Sequence, residues 1–157
     1  MSFRISGLSP STFAALFALS DAELTARRAR RMVADRKPGF PCRVSLRDAE
    51  VGETVLLVNY EHLPVDSPFR SGYAVYVRED AQSTQLRADE IPEQLASRLL
   101  SVRGFDRDDM LVDATVTEGH QLAPVLERAL ESASVAYIHV HFAKPGCFAA
   151  RVDRVAG

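Results

Sequence analysis

The sequence predicts an α+β fold: a largely antiparallel β-sheet with helices packed on one face, in a single compact domain over residues 1–157. Three observations predict it. Short runs of strand-forming residues recur between Pro, Gly, Asp and Ser turn signals, the strongest at 54–62. One segment places Leu122, Val125, Leu126, Ala129 and Leu130 at the spacing of a single helix face. A length of 157 residues, 46% hydrophobic and 25% charged, suits one domain with a core of its own.

The elements follow from local pattern. Residues 3–8 read as a strand with Phe3 and Ile5 on one side. Pro10, after Ser9, suits the first position of a helix whose face carries Phe13, Leu16 and Phe17. Ser20-Asp21-Ala22-Glu23 fits a capping box, so a second short helix should carry Leu24 inward. The basic run Arg27, Arg28, Arg30 and Arg31 reads as a solvated helix face or the edge of a strand through Met32 and Val33. Pro38-Gly39 is a turn, 42–46 a strand, and 48–53 a turn centred on Gly52. Val55-Leu56-Leu57-Val58 is apolar on both faces, which places the strand 54–62 centrally in a sheet.

Pro64 and Pro68 make 63–71 a loop, and 73–78 returns as a strand. Residues 80–90 are polar. Pro92 opens a helix with Leu95 and Leu99 inward. Residues 110–117 alternate as a strand, with Met110, Val112, Ala114 and Val116 on one face and Asp113, Thr115 and Thr117 on the other. The amphipathic helix 122–130 precedes a strand at 135–142, a turn at 143–146 and a last strand at 147–152.

Composition narrows the partners. A net charge of −2 argues against nucleic acid and membrane surfaces as general partners. No apolar run approaches the ~20 residues that span a bilayer. Cys42 and Cys147 are too few for a secreted disulfide scaffold, so two reduced thiols and a cytoplasmic location are expected, with a single bridge between the two left open. Positive charge is nearly all arginine, the residue that grips phosphate and carboxylate with two parallel bonds.

Chemistry-bearing residues concentrate in two distant segments, 38–70 and 137–154. On the strand YIHVHF, Tyr137, His139 and His141 share one face and Ile138, Val140 and Phe142 the other. Two histidines at i, i+2 can ligate one metal if further ligands stand nearby; Cys147, Asp113, His62 and Cys42 are the candidates, and the pair alone is a weak metal signal. The register of the last hairpin decides which residues join them. If Ala143 pairs with Cys147, then His139 opposes Arg151, His141 opposes Ala149, and Cys147 and Arg151 share the histidine face. If Phe142 pairs with Cys147, both leave it. The first register is favoured because it keeps Arg151 out of the apolar face. Either cysteine is a small buried hydrophobe unless a neighbouring Arg or His activates it. Tyr60 and His62 share a strand face with Leu56 and Val58, just before a Pro-rich loop ending at Arg70. A polar cluster at a strand end before such a loop has the layout of a ligand site. Asp113 could pair an arginine or orient a histidine.

The segments FPCRVSLRDAEVGETVLLVNYEHLPVDSPFR and KPGCFAARVDR resemble the domain of unknown function 1203 family. The resemblance extends over almost the whole chain and implies a small, single-domain bacterial protein; it supplies no activity, substrate or cofactor. That family often carries an SPYR-like loop, and Phe69 here lacks its hydroxyl.

From the residues themselves, the expectation is a small soluble domain that binds, and could act on, a polar or anionic small molecule in a His/Arg-lined cleft. Arg43, Arg70 and Arg151 would hold negative charge, Tyr60 and Tyr137 would line the site, and His62, His139 and His141 would donate hydrogen bonds or move protons. One alternative is a metal- or thiol-dependent enzyme using His139, His141 and a cysteine such as Cys147. Another is a non-catalytic dimerising or partner-binding protein whose basic run meets an acidic surface. The cofactor is left open, and so is a homodimer.

Overall fold

The computed structural model describes residues 1–156. Its strands and helices run β1 (Phe3–Ser6), α1 (Asp21–Ala26), β2 (Ala29–Val33), β3 (Thr54–Leu63), β4 (Ser71–Arg78), α2 (Glu93–Ala96), β5 (Leu99–Phe105), β6 (Leu111–Glu118), α3 (Leu122–Glu131), β7 (Tyr137–Phe142) and β8 (Phe148–Arg154). The fold is α+β with antiparallel strand pairing. The strands divide into two sheets, a five-stranded one ordered β1-β8-β7-β5-β6 and a three-stranded one ordered β2-β3-β4.

The helix α3 forms because its leucines recur every three to four residues. Leu122, Leu126 and Leu130 are fully buried against Leu100, Val102, Ile138, Val140 and Val152 of the five-stranded sheet. Each such leucine contributes about 1.5–3 kcal/mol by leaving water. Gly119, at the entry to α3, allows a close crossing: a Cβ there would stand 1.9 Å from the Leu95 carbonyl oxygen. The smaller sheet has its own core of Leu56, Val58, Val75 and Val77, closed by Phe13 and Leu24. The capping box of Ser20 and Glu23 is present in both directions and starts α1 as expected. Arg31 leaves the basic run to pin this layer: it donates to the Phe17 and Leu19 carbonyls and pairs with Asp21. Strand β3 is central in its sheet, as its doubly apolar run requires.

Two expectations fail, and a third element takes a side that the alternation had left open. Residues 42–46 are not a strand; they form a tight turn bounded by isolated bridges from Pro41 to Asp48 and from Cys42 to Tyr76, with Leu46 in the left-handed region at φ 55. The helix opened by Pro92 lasts four residues, and Leu99 begins strand β5, which stands between β6 and β7. On β6 the apolar row faces outward: Val112 and Val116 are 44% and 61% exposed. Strand β6 is the sheet edge, and the row that includes Val116 lies on the side of the sheet away from α3, because Val116 stands opposite Ser101 and Thr115 opposite Val102.

Candidate metal centre

The five-stranded sheet buries one face under α3. On the other face its strands align three rows of side chains. His139 stands between Arg103 of β5 and Arg151 of β8, and His141 between Ser101 of β5 and Phe148 of β8. Strand β3 ends in an irregularity between Tyr60 and Leu63, which delivers His62 onto this face. The His62 ring centroid lies 6.1 Å from that of His139 and 5.0 Å from that of His141. One nitrogen from each of the three rings lies within 4.8 Å of the others. Two segments nearly eighty positions apart thus meet, as the sequence led one to expect, and the imidazoles are what they bring together.

The surroundings are aromatic. Phe148 stacks on His62 at 5.3 Å and meets His139 edge-on at 4.9 Å, and Phe105 and Tyr137 close the other side of His139. The phenyl walls hold no donors for ring nitrogens, and the Tyr137 hydroxyl is committed to Asp109. The Nδ1 atoms of His62 and His139 are buried without a hydrogen-bond partner, and His139 is only 3% exposed. The Gly146 carbonyl accepts from Nδ1 of His141 at 3.1 Å, so neutral His141 carries its lone pair on Nε2. Nε2 of His62 lies 3.2 Å from the Ser71 hydroxyl, leaving Nδ1 toward the interior.

Electrostatics keep all three rings neutral. Burial is the largest cause in each, lowering His62 to about 4, His139 to about 3 and His141 to about 4. The Arg103 guanidinium adds to the lowering at every one of them. Neutral imidazole is the form that ligates metal. The same shifts predict acid sensitivity. An unfolded histidine takes up a proton near pH 6.5 and the folded ones resist until pH 3–4, so stability falls as pH drops from 6.5 toward 4 and levels off below the folded values. For His139 alone the loss should be on the order of 3 kcal/mol. Urea titrations of the metal-free protein between pH 7 and 4 measure it, and a stability unchanged over that window would show the rings to be freely solvated.

Of the remaining expected residues, Tyr137 and Arg151 share the histidine face and the others lie elsewhere. Cys147 belongs to the α3 side of the sheet, because the hairpin uses both registers. His139 opposes Arg151 as favoured, but a bulge then sets His141 against Phe148, and Phe142 bonds to the Cys147 carbonyl. Arg43 is also absent from the histidine face. Its guanidinium, 1% exposed, donates to the Phe148 carbonyl, the Pro41 carbonyl and, at 2.8 Å, Cys147 Sγ. Tyr60 packs on Phe13 in the smaller core, and Arg70 pairs with Glu61 at the surface. Arg151 is on the histidine face but stacks over Tyr137 at 4.2 Å and pairs with Asp153. Tyr137 donates to Asp109 at 2.7 Å, and burial raises its pKa. Cys42 is buried and accepts from the Arg78 amide, and Asp113 is exposed and makes no ion pair among the described residues.

A cleft of about 970 Å³ opens between the sheets, lined by Arg36, Arg43, Arg98, Lys144, Tyr73 and Phe142 among others and by no histidine. Its charges are largely satisfied within the protein: Arg98 grips Asp48 with two bonds, Arg36 pairs with Asp35, and Arg43 bonds carbonyls. The histidine cluster, with two orphaned nitrogens, is the less satisfied site and so the better candidate. Sequence reasoning missed Arg103, Ser101 and Phe148. The first two vanished with β5, whose signal was the alternation Leu100, Val102 against Ser101, Arg103.

The family described as Protein of unknown function (DUF1203) matches residues 39–154, and the chain belongs to it. The match begins after the first 38 residues, so it covers less of the N-terminal part than the sequence resemblance suggested. It includes all three histidines and Arg103. No curated protein and no solved structure matches the chain.

Proposed function

We propose that this DUF1203 member is a metal-dependent protein whose His62, His139 and His141 hold one divalent transition ion, zinc foremost. The observation that carries the reading is the convergence of three neutral imidazoles, one ring nitrogen from each within 4.8 Å of the others, and two of the rings with a buried, unpartnered nitrogen. A protein seldom leaves buried nitrogens without partners, because each costs about 1–3 kcal/mol; a metal ion supplies the missing partner. Ring nitrogens ligate zinc at about 2.0–2.1 Å, a distance that small rotations of these rings would reach. Imidazole-only coordination suits zinc, copper, iron or nickel and disfavours magnesium and calcium. Three ligands leave a fourth position open, the arrangement of reactive zinc sites rather than closed structural ones. The chemistry such an ion supplies is polarisation of a bound oxygen. The Gly146 carbonyl on His141 and the Ser71 hydroxyl on His62 would orient two of the ligands.

Calorimetric titration of chelator-treated protein with zinc tests this. One ion per chain is expected, with affinity reduced about a hundredfold or more in His62→Ala, since even partners behind the ligands are worth ten- to a hundredfold. Absence of saturable binding in the wild-type protein would end the metal reading.

A further inference from the structure

The least compensated charge beside the cluster is Arg103. It lies directly across the sheet from His139, and its Nε donates to Ser101, itself across from His141. No carboxylate lies within 4.0 Å of it among the described residues, and its two terminal nitrogens make no hydrogen bond there. Acids near this face are engaged: Asp109 accepts from Tyr137, and Asp153 holds Arg151. The three histidines contribute no negative charge. A divalent ion on them would therefore stand, partly desolvated, beside this guanidinium, with three positive charges and, among the described residues, no carboxylate paired with Arg103 to offset them. Like charges that close are costly in a site with little water.

We propose that the site is completed by a small oxyanion, a carboxylate foremost, which takes the open metal position through one oxygen and receives paired N–H groups from Arg103 through the other. This rests on the metal reading above. The geometry favours a carboxylate-sized group because Nε is already committed to Ser101, leaving the two terminal nitrogens as the planar donor edge. The site would thus recognise the charged end of a small carboxylic acid. Arg103 acts as the binding residue for that end, and the metal polarises the oxygen it ligates.

The experiment uses cobalt(II)-loaded protein, whose visible spectrum reports the metal's own ligands, titrated with sodium acetate and separately with inorganic phosphate. Wild type should load one cobalt and show a saturable acetate-dependent spectral change. Arg103→Met should still load one cobalt but bind acetate about ten- to a hundredfold more weakly, the worth of hydrogen bonds to a charged group. Arg103→Lys should recover part of the loss. Phosphate binding tighter than acetate would overturn the carboxylate preference. Acetate affinity within twofold of wild type in Arg103→Met, or no spectral change in wild type, would overturn the role of Arg103. Failure of wild type to load cobalt would instead remove the metal reading on which this inference stands.

Discussion

Replacing His139 with phenylalanine should stabilise the metal-free protein by about 1–3 kcal/mol while abolishing tight zinc binding. The ring sits between Phe148, Phe105 and Tyr137 at centroid distances of 4.9–5.6 Å, in a setting an apolar ring suits. Its Nδ1 is buried and unpaired, so the wild-type side chain bears a desolvation cost that phenylalanine lacks. Phenylalanine is slightly larger, and overpacking would subtract from the gain. The half-buried His62 can yield at one side of the site, so the gain should prevail. The pH dependence should flatten too, because the ring with the lowest pKa is gone. Urea unfolding in the presence of a chelator gives the stability, and calorimetry the zinc affinity. A loss of 1 kcal/mol or more on substitution would mean that His139 is held by interactions of its own and serves packing rather than a ligand.

Arg43→Ala should have the opposite effect, a destabilisation of about 3–5 kcal/mol with the histidine cluster left chemically intact. Arg43 joins three acceptors: the Phe148 carbonyl on β8, the Pro41 carbonyl and Cys147 Sγ. Its guanidinium lies 5.0 Å from the Phe142 ring, which Arg98 faces at 5.1 Å. Alanine would leave a cavity and two unpaired buried carbonyls. Lysine should not rescue, since one ammonium group cannot span three separate acceptors. The shift in urea midpoint measures the effect. A change below 1 kcal/mol would return Arg43 to the role the sequence suggested, a ligand-binding group at the cleft.

These two residues show what the sequence could and could not convey. Side-chain alternation on β7 placed His139 and His141 on one face, and that followed from strand geometry alone. His62 was recognisable as a candidate but not as their third member, because its approach depends on the irregularity after Tyr60, which no residue type announces. Arg43 looked like a ligand-binding group because an arginine next to a cysteine and a turn has that chemistry. Its burial between β8 and the Pro41 turn is a tertiary fact. Strand β5 was lost to a competing period: Leu95 and Leu99 sit four apart, and that spacing concealed the alternation from Leu99 onward. Arg103 was lost with it. On β6 the alternation separates the valines from Asp113, Thr115 and Thr117, but alternation specifies two faces without saying which is covered.

The bulge in β8 has a consequence for how this family can vary. It separates the phase of the turn from the phase of the strand, so Cys147 and Phe148 address opposite layers while Arg151 keeps its place against His139. A relative that lost one residue between Phe142 and Phe148 could absorb the loss by losing the bulge, with every side chain from Ala150 onward undisturbed. A one-residue deletion in that hairpin is therefore tolerable, whereas an extra residue between His139 and His141 would put the two imidazoles on opposite faces of the sheet and dismantle the cluster.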